Sequence, residues 1–247
     1  MKAIVKILLE GYTTADVKSD IGDEKTRPTI TLVKDRDIVM VVDPGTLSDQ
    51  QILIDKLKEE GLTVNDVNIV CITHSHIDHY RNIGMFPKAK TLEYFGLWDG
   101  EKVDDWQEHF TENIQILKTP GHDYTGITLL VSTEIGKVAI CGDIFWKENS
   151  PENDIYASDL EKLEKSRALV LKMADWVIPG HGEMYKSGHT LISKPKQEAE
   201  EKILGTCKRC HRKLFIKKDR CECQPWFCYH CCQCEEDCEL CNCKRRR

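Results

Sequence analysis

"DVNIVCITHSHIDHY", residues 66–80, begins as an apolar run and ends in a crowd of imidazoles. Residues 66–73 are apolar at nearly every inner position, which predicts a strand buried on both faces. His74, His76, Asp78 and His79 then follow at its C-terminal end, where open α/β architectures place their sites. One such histidine would be an ordinary polar residue. Three histidines and an aspartate within residues 74–79 are a pattern that imidazole–carboxylate metal sites require.

The flanking sequence supplies a scaffold for that strand. Upstream, "ITLVKDRDIVMVVDPG" (30–45) reads as two strands around a polar turn, ending in Asp43-Pro44-Gly45. "SDQQILIDKLKEEG" (48–61) follows as a helix, with Ser48 the expected N-cap, Gly61 its stop, and Ile52, Leu53 and Leu57 on one face. Downstream, strands are expected at 114–118, 127–132, 137–142 and 175–178. A helix over 158–174 precedes the last, opened by the capping signature Ser158…Glu161. Three of these strands deliver polar groups at their ends: "TPGHD" with His122, "VAICGD" with Asp143 and "WVIPGHG" with His181. Five histidines and two aspartates exceed the needs of one tetrahedral ion, so two metals sharing a carboxylate are expected. His109 and His189 lack such context and read as surface residues, and Cys71 and Cys141 read as core.

Composition divides the chain. Of 13 cysteines in 247 residues, eleven fall after residue 206. Residues 206–247 carry eleven Lys/Arg against six Asp/Glu, a net +5, which leaves −11 for the remainder of a chain totalling −6. The longest N-terminal apolar run, "AIVKILL" (3–9), is interrupted by Lys6 and too short for a signal or a membrane span. We therefore expect a cytoplasmic protein with no membrane partner, in which paired cysteines mean metal rather than disulfides. Cys207–Cys210, Cys221–Cys223, Cys228–Cys231 and Cys238–Cys241 form four close pairs, expected to hold two structural zinc ions. Their order resembles a cross-brace RING-like pattern. Cys232, Cys234, Cys243, His211 and His230 leave the ligand set open. So few apolar residues make metal the source of folding energy there.

The stretches "HSHIDH", "VVDPG", "TPGHDYTGITLLV", "AICGDIFW" and "ADWVIPGHG" resemble the metallo-β-lactamase superfamily, across roughly residues 1–190. That resemblance implies an α+β, four-layer αββα catalytic domain at 1–190; the distribution of cysteine and charge adds a linker (191–206), the cysteine-rich zinc module (207–243) and a basic tail (244–247). It also implies roles. His74, His76 and His122 would hold a first metal, Asp78, His79 and His181 a second, with Asp143 bridging. Asp43 matches a buried aspartate that orients a ligand histidine by hydrogen bonding, although a plain turn residue before Pro44 would look the same.

Two divalent ions would acidify a shared water into a bridging hydroxide, and Asp78 would be the catalytic residue that orients it and takes its proton. Zinc, iron and manganese all accept this donor set. The activity expected is a dinuclear hydrolase. RNA phosphodiesters come first, because the branch it resembles most cleaves RNA; thioesters, lactones and β-lactams are the alternatives. The −11 of the first 205 residues opposes long polyanions. Basic clusters at 208–213, 217–220 and 244–247 leave the tail as a contact for nucleic acid or protein. A metal-bearing scaffold acting through its zinc module is the alternative of another class.

Overall fold

Alternation of β-branched residues with a two-residue period builds the first sheet. The computed structural model describes residues 1–15, 24–148, 150–188, 203–206 and 213–215. In chain order the strands are β1 (Ile4–Leu9), the short pair β2 (Tyr12–Thr13) and β3 (Thr26–Arg27), then β4 (Ile30–Asp35), β5 (Ile38–Val42), β6 (Ile69–Cys71), β7 (Lys90–Leu92), β8 (Leu97–Asp99) and β9 (Lys102–Asp104). β2 pairs with β3 alone, and the other seven form one sheet in the order β1-β4-β5-β6-β7-β8-β9. The β5–β6 and β6–β7 pairs are parallel and the rest antiparallel.

The second sheet runs β10 (Ile114–Lys118), β11 (Ile127–Thr133), β12 (Gly136–Ile140), β13 (Trp176–Ile178) and β14 (Tyr185–Lys186), with β12–β13 parallel. Parallel neighbours need a crossover, and a helix supplies one in each sheet: α1 (Gln51–Glu59) joins β5 to β6, and α3 (Leu160–Met173) joins β12 to β13. A one-turn helix, α2 (Ile77–Tyr80), lies just after β6.

Burial follows the period. Met40 and Val42 of β5 face Leu129, Val131 and Ile140 in the core between the sheets, whereas Val41 faces outward onto Leu53 and Leu57 of α1. On the opposite side Leu163 and Val170 of α3 cover Leu130, Ala139 and Val177. The layers are therefore helix, sheet, sheet, helix. Fully burying each such side chain contributes about 1.5–3 kcal/mol. β6 is buried at every position, as its sequence predicts.

Two helix starts differ from expectation. α1 begins after Gln50 rather than Ser48, and Asp49 Oδ1 accepts from the Gln51 amide at 2.8 Å. α3 is capped by Asp159, which accepts from the Lys162 amide, while Ser158 Oγ turns away to the Gly121 carbonyl. A carboxylate adjoining a serine competes for the same orphan amides, and spacing alone does not choose between them. The end of α1 is as read: Gly61 adopts φ +71, with Gly61 N donating to Lys58 O and Leu62 N to Leu57 O, a Schellman arrangement.

The chain divides into two compact units, Met1–Leu191 and Ile192–Arg247. In the second, β15 (Ile203–Thr206) pairs antiparallel with β16 (Lys213–Phe215). The paired cysteines expected to bind zinc, the basic tail and His189 lie outside the described residues. Among the described residues no helix is long and apolar enough to cross a membrane.

Candidate metal centre

Four strand ends converge. β6 delivers His74, His76 and α2; β10 runs into His122; β12 runs into Asp143; β13 runs into His181. The expected residues fall into two adjoining groups. Ligating atoms of His74, His76, His122 and Asp143 lie within 4.8 Å of one another, as do those of Asp78, His79 and His181. Asp143 stands between them. Its Oδ2 is 3.1 Å from His181 Nε2 and 3.4 Å from His122 Nε2, and its Oδ1 is 3.2 Å from His79 Nε2.

Acceptors behind the rings set their tautomers. His79 Nδ1 meets Asp43 Oδ2 at 2.8 Å, His122 Nδ1 meets Asp154 Oδ2 at 2.6 Å and His181 Nδ1 meets the Arg27 carbonyl at 3.0 Å. Carboxylates and carbonyls only accept, so each Nδ1 carries the proton and each Nε2 offers a lone pair to the centre. Thr73 Oγ1 donates to Asp43 Oδ2 (2.7 Å), which leaves its lone pairs for His74 Nδ1 at 3.1 Å. His76 is turned the other way, with Nδ1 3.0 Å from His122 Nε2.

Asp43 is thus more than a turn residue. Its carboxylate takes the Thr73 amide, the Thr73 hydroxyl and the His79 ring, and its backbone holds φ +49, an unusual value for a residue with a Cβ. Asp78 has the most accessible of the aspartate carboxylates in the two groups, and Thr26 Oγ1 donates to its Oδ2 at 3.1 Å.

The donor set fits a metal. His74 Nε2 is buried without a hydrogen-bond partner among the described residues, and His79 Nε2 and Asp143 Oδ1 have only each other at 3.2 Å; a buried orphan costs about 1–3 kcal/mol unless something satisfies it. Nitrogen and carboxylate oxygen without thiolate suit zinc and its first-row neighbours. The electrostatics divide the four rings, two held neutral and two whose proton a metal would displace. Burial, reinforced by the neighbouring His79, pushes His74 well below the usual imidazole range, and burial also lowers His76, so both rings are neutral donors. Burial also disfavours charge on His79 and His181, but the Asp143 carboxylate outweighs it and raises both, with Asp43 adding to the effect at His79. Asp143 itself is held well below the carboxylate range, because His181 and His79 overcome its burial.

Sequence reading missed Asp154, Thr26 and Thr73 as supports. Thr73 adjoins the histidine cluster, but Asp154 is 32 residues from His122 and Thr26 is 52 from Asp78, with no spacing signal to join them. His109 is exposed, and Cys71 and Cys141 are buried.

The chain belongs to the metallo-β-lactamase superfamily. The superfamily profile matches residues 25–109, which include the histidine cluster but stop before His122. A Xenopus laevis protein named metallo-beta-lactamase domain-containing protein 1 is 34% identical over 192 residues, covering 74% of this chain and 81% of that one. Its Homo sapiens namesake is 30% identical over 162 residues, covering 60% and 59%. The alignment thus spans about three-fifths of the human relative. Among solved structures, a Thermotoga maritima protein described as a metallo-beta-lactamase superposes with a TM-score of 0.60 at 24% identity, covering 75% of this chain and all of that one. An N-acyl homoserine lactone hydrolase, with its product at the catalytic metal center, gives 0.54 at 17% identity, covering 73% and 92%. Family, fold and the His/Asp cluster together define a metal-dependent hydrolase.

Proposed function

We propose that the centre holds two divalent ions, zinc foremost, and hydrolyses carboxylic ester-type bonds: esters, thioesters or lactones. His74, His76 and His122 would hold one ion, Asp78, His79 and His181 the other, with Asp143 shared. When bound, such a pair supplies a Lewis acid and an acidified water at neutral pH.

The remaining work falls to the chain. Thr26 Oγ1 holds Asp78 Oδ2 at 3.1 Å, so the carboxylate is aimed where a nucleophile's proton must be received and then handed to the leaving group. Asp43 and Asp154 keep two imidazoles in one tautomer throughout.

The observation that carries the substrate class is the surroundings of the cluster. Ile77, Tyr124, Ile155 and Tyr156, each one or two residues from a ligand candidate or from Asp154, are exposed apolar side chains, and Asp123 and Glu24 add negative charge. Exposed apolar groups beside a reactive centre favour an uncharged acyl substrate. The net charge of −11 over the first 205 residues opposes a polyphosphate. The lactone hydrolase with the same fold is consistent with this class.

A second reading, RNA cleavage, rests on the basic clusters at 208–213, 217–220 and 244–247. In that case the cysteine module at 207–243 would bind two further zinc ions and present those clusters to RNA or a protein. One panel separates the readings: zinc-loaded full-length protein against a chromogenic ester, a thioester, a homoserine lactone, a β-lactam and single-stranded RNA. Turnover of ester-type substrates alone is expected. Turnover of RNA alone, weakened by salt and by deletion of 206–247, would replace this reading with the nuclease. Zinc analysis should find about four ions in the full chain and about two in 1–195, if the module binds as its cysteine spacing implies.

A further inference from the structure

Asp154 sits in "SPENDIYAS" (150–158), a loop with no motif of its own. Its side chain is wholly buried, and Oδ2 lies 2.6 Å from His122 Nδ1. The other oxygen is also engaged, accepting from the Tyr156 amide at 2.9 Å. The carboxylate therefore faces the back of the imidazole rather than competing for the centre. The backbone around it is laced to the same place. Ser158 N donates to the His122 carbonyl (3.0 Å), Asp159 N to the Gly121 carbonyl (2.9 Å), and Ser158 Oγ to that same carbonyl (3.0 Å). Three hydrogen bonds thus tie the end of the loop to Gly121 and His122.

A buried carboxylate is costly unless positive charge balances it. Here the group within ion-pair distance is His122, and a cation on its Nε2 would supply that charge through the ring. The second group repeats this arrangement with unrelated sequence, Asp43 standing 2.8 Å behind His79. Each group thus has one histidine backed by one carboxylate, from loops on different sheets.

We propose that Asp154 is a positioning residue that fixes His122 as an Nε2 donor and strengthens its hold on the metal of the His74–His76–His122 group, as Asp43 does for His79 in the other. The inference rests on the dinuclear reading above and adds that the support behind His122 is breakable on its own, whereas Asp43 serves His79 directly and reaches His74 through Thr73 Oγ1.

The test uses metal alone. Chelator-stripped full-length protein, wild type, Asp154→Asn and Asp43→Asn, is titrated with Zn2+ against a competing chelator, and with Co2+ followed by its visible absorption. Beyond the thiolate sites of the cysteine module, told apart by their cobalt charge-transfer absorption, Asp154→Asn should weaken one of the two remaining binding events by about 10–100-fold and leave the other at its wild-type value. Asp43→Asn should weaken the other event most, with a smaller effect on the first through Thr73 and His74. Two events of wild-type affinity in a folded Asp154→Asn protein would overturn the proposal. Should that variant not fold, nitrogen-15 shifts of His122 in the metal-loaded wild type decide instead: a protonated Nδ1 with a metal-shifted Nε2 is expected, and the opposite tautomer overturns it. A wild type with one binding event beyond the thiolate sites refutes the dinuclear reading, while the His122 tautomer still judges Asp154.

Discussion

The two sheets furnish the centre in different ways. The first sheet contributes His74, His76, Asp78 and His79 from a single connection, residues 74–79, just after one buried strand. The second contributes His122, Asp143 and His181 from three connections, spread over 60 residues. Side chains sharing one turn are brought together by local backbone geometry, whereas those on separate strands meet only if the strands pack. The first set is thus robust to distant change. The second depends on close backbone approaches that no side chain can replace.

Those approaches are visible. Thr29 N donates to the Gly180 carbonyl at 2.6 Å, and Thr29 Oγ1 donates to the Gly182 carbonyl at 2.8 Å, stitching the start of β4 to the loop that carries His181. Gly180 passes so near Asp143 that a Cβ there would overlap the carboxylate.

The largest expected effect lies in the first set. Asp78→Asn removes a ligand and the proton acceptor together, at a position in α2 outside the core, and should lower turnover by about 10²–10⁴-fold with the melting transition little changed. Near-wild-type rates on a substrate from the panel would end the proposed role. Gly180→Ala tests the second set without replacing a ligand candidate. Displacing Asp143 should weaken metal uptake by on the order of 10–100-fold, measured by chelator competition. Unchanged uptake would mean the second set tolerates backbone shifts, and the contrast between the sheets would collapse.

Thr29→Val comes third. It removes a buried hydroxyl that serves the Gly182 carbonyl and, as acceptor, the Gly182 and Gly11 amides, at a cost of roughly 1–3 kcal/mol in denaturant unfolding. Saturating metal should leave the deficit equal or enlarge it, since a loosened His181 loop cannot bind metal more tightly than the wild type does. The smallest effect is expected at Asp159→Ala, which uncaps α3 on the outer face of the second sheet. The Lys162 amide and side chain hold the Asp159 carboxyl below its ordinary value. Its contribution is therefore present above pH about 4 and fades as acid protonates it, so the loss in thermal midpoint should be seen at neutral pH and vanish in acid. A deficit that persists in acid would show that the cap acts through packing instead.

Strand and helix positions were largely readable because burial imposes periods of two and 3.6 on the sequence. β10 spans 114–118 as expected, and β11, β12 and β13 differ by one or two residues at their ends. The polar groups that end β6, β10, β12 and β13 were equally legible, since imidazole and carboxylate in series after apolar runs have few structural uses. Ser48 and Ser158 misled because a neighbouring aspartate took the helix amides in each case.

What the sequence by itself determined is the donor inventory and the strands that carry it: seven ligand-type side chains, each following an apolar segment, with Asp43 marked by its place before Pro-Gly. What only the tertiary structure decided is how those donors divide and what stands behind them. Asp143 between the two groups, Asp154 behind His122, Thr26 against Asp78 and Thr29 on the His181 loop are contacts across 32 to 153 residues. A hydrogen bond depends on a few ångströms in space and leaves no period along a chain, so partners that distant become visible only once the two sheets have packed.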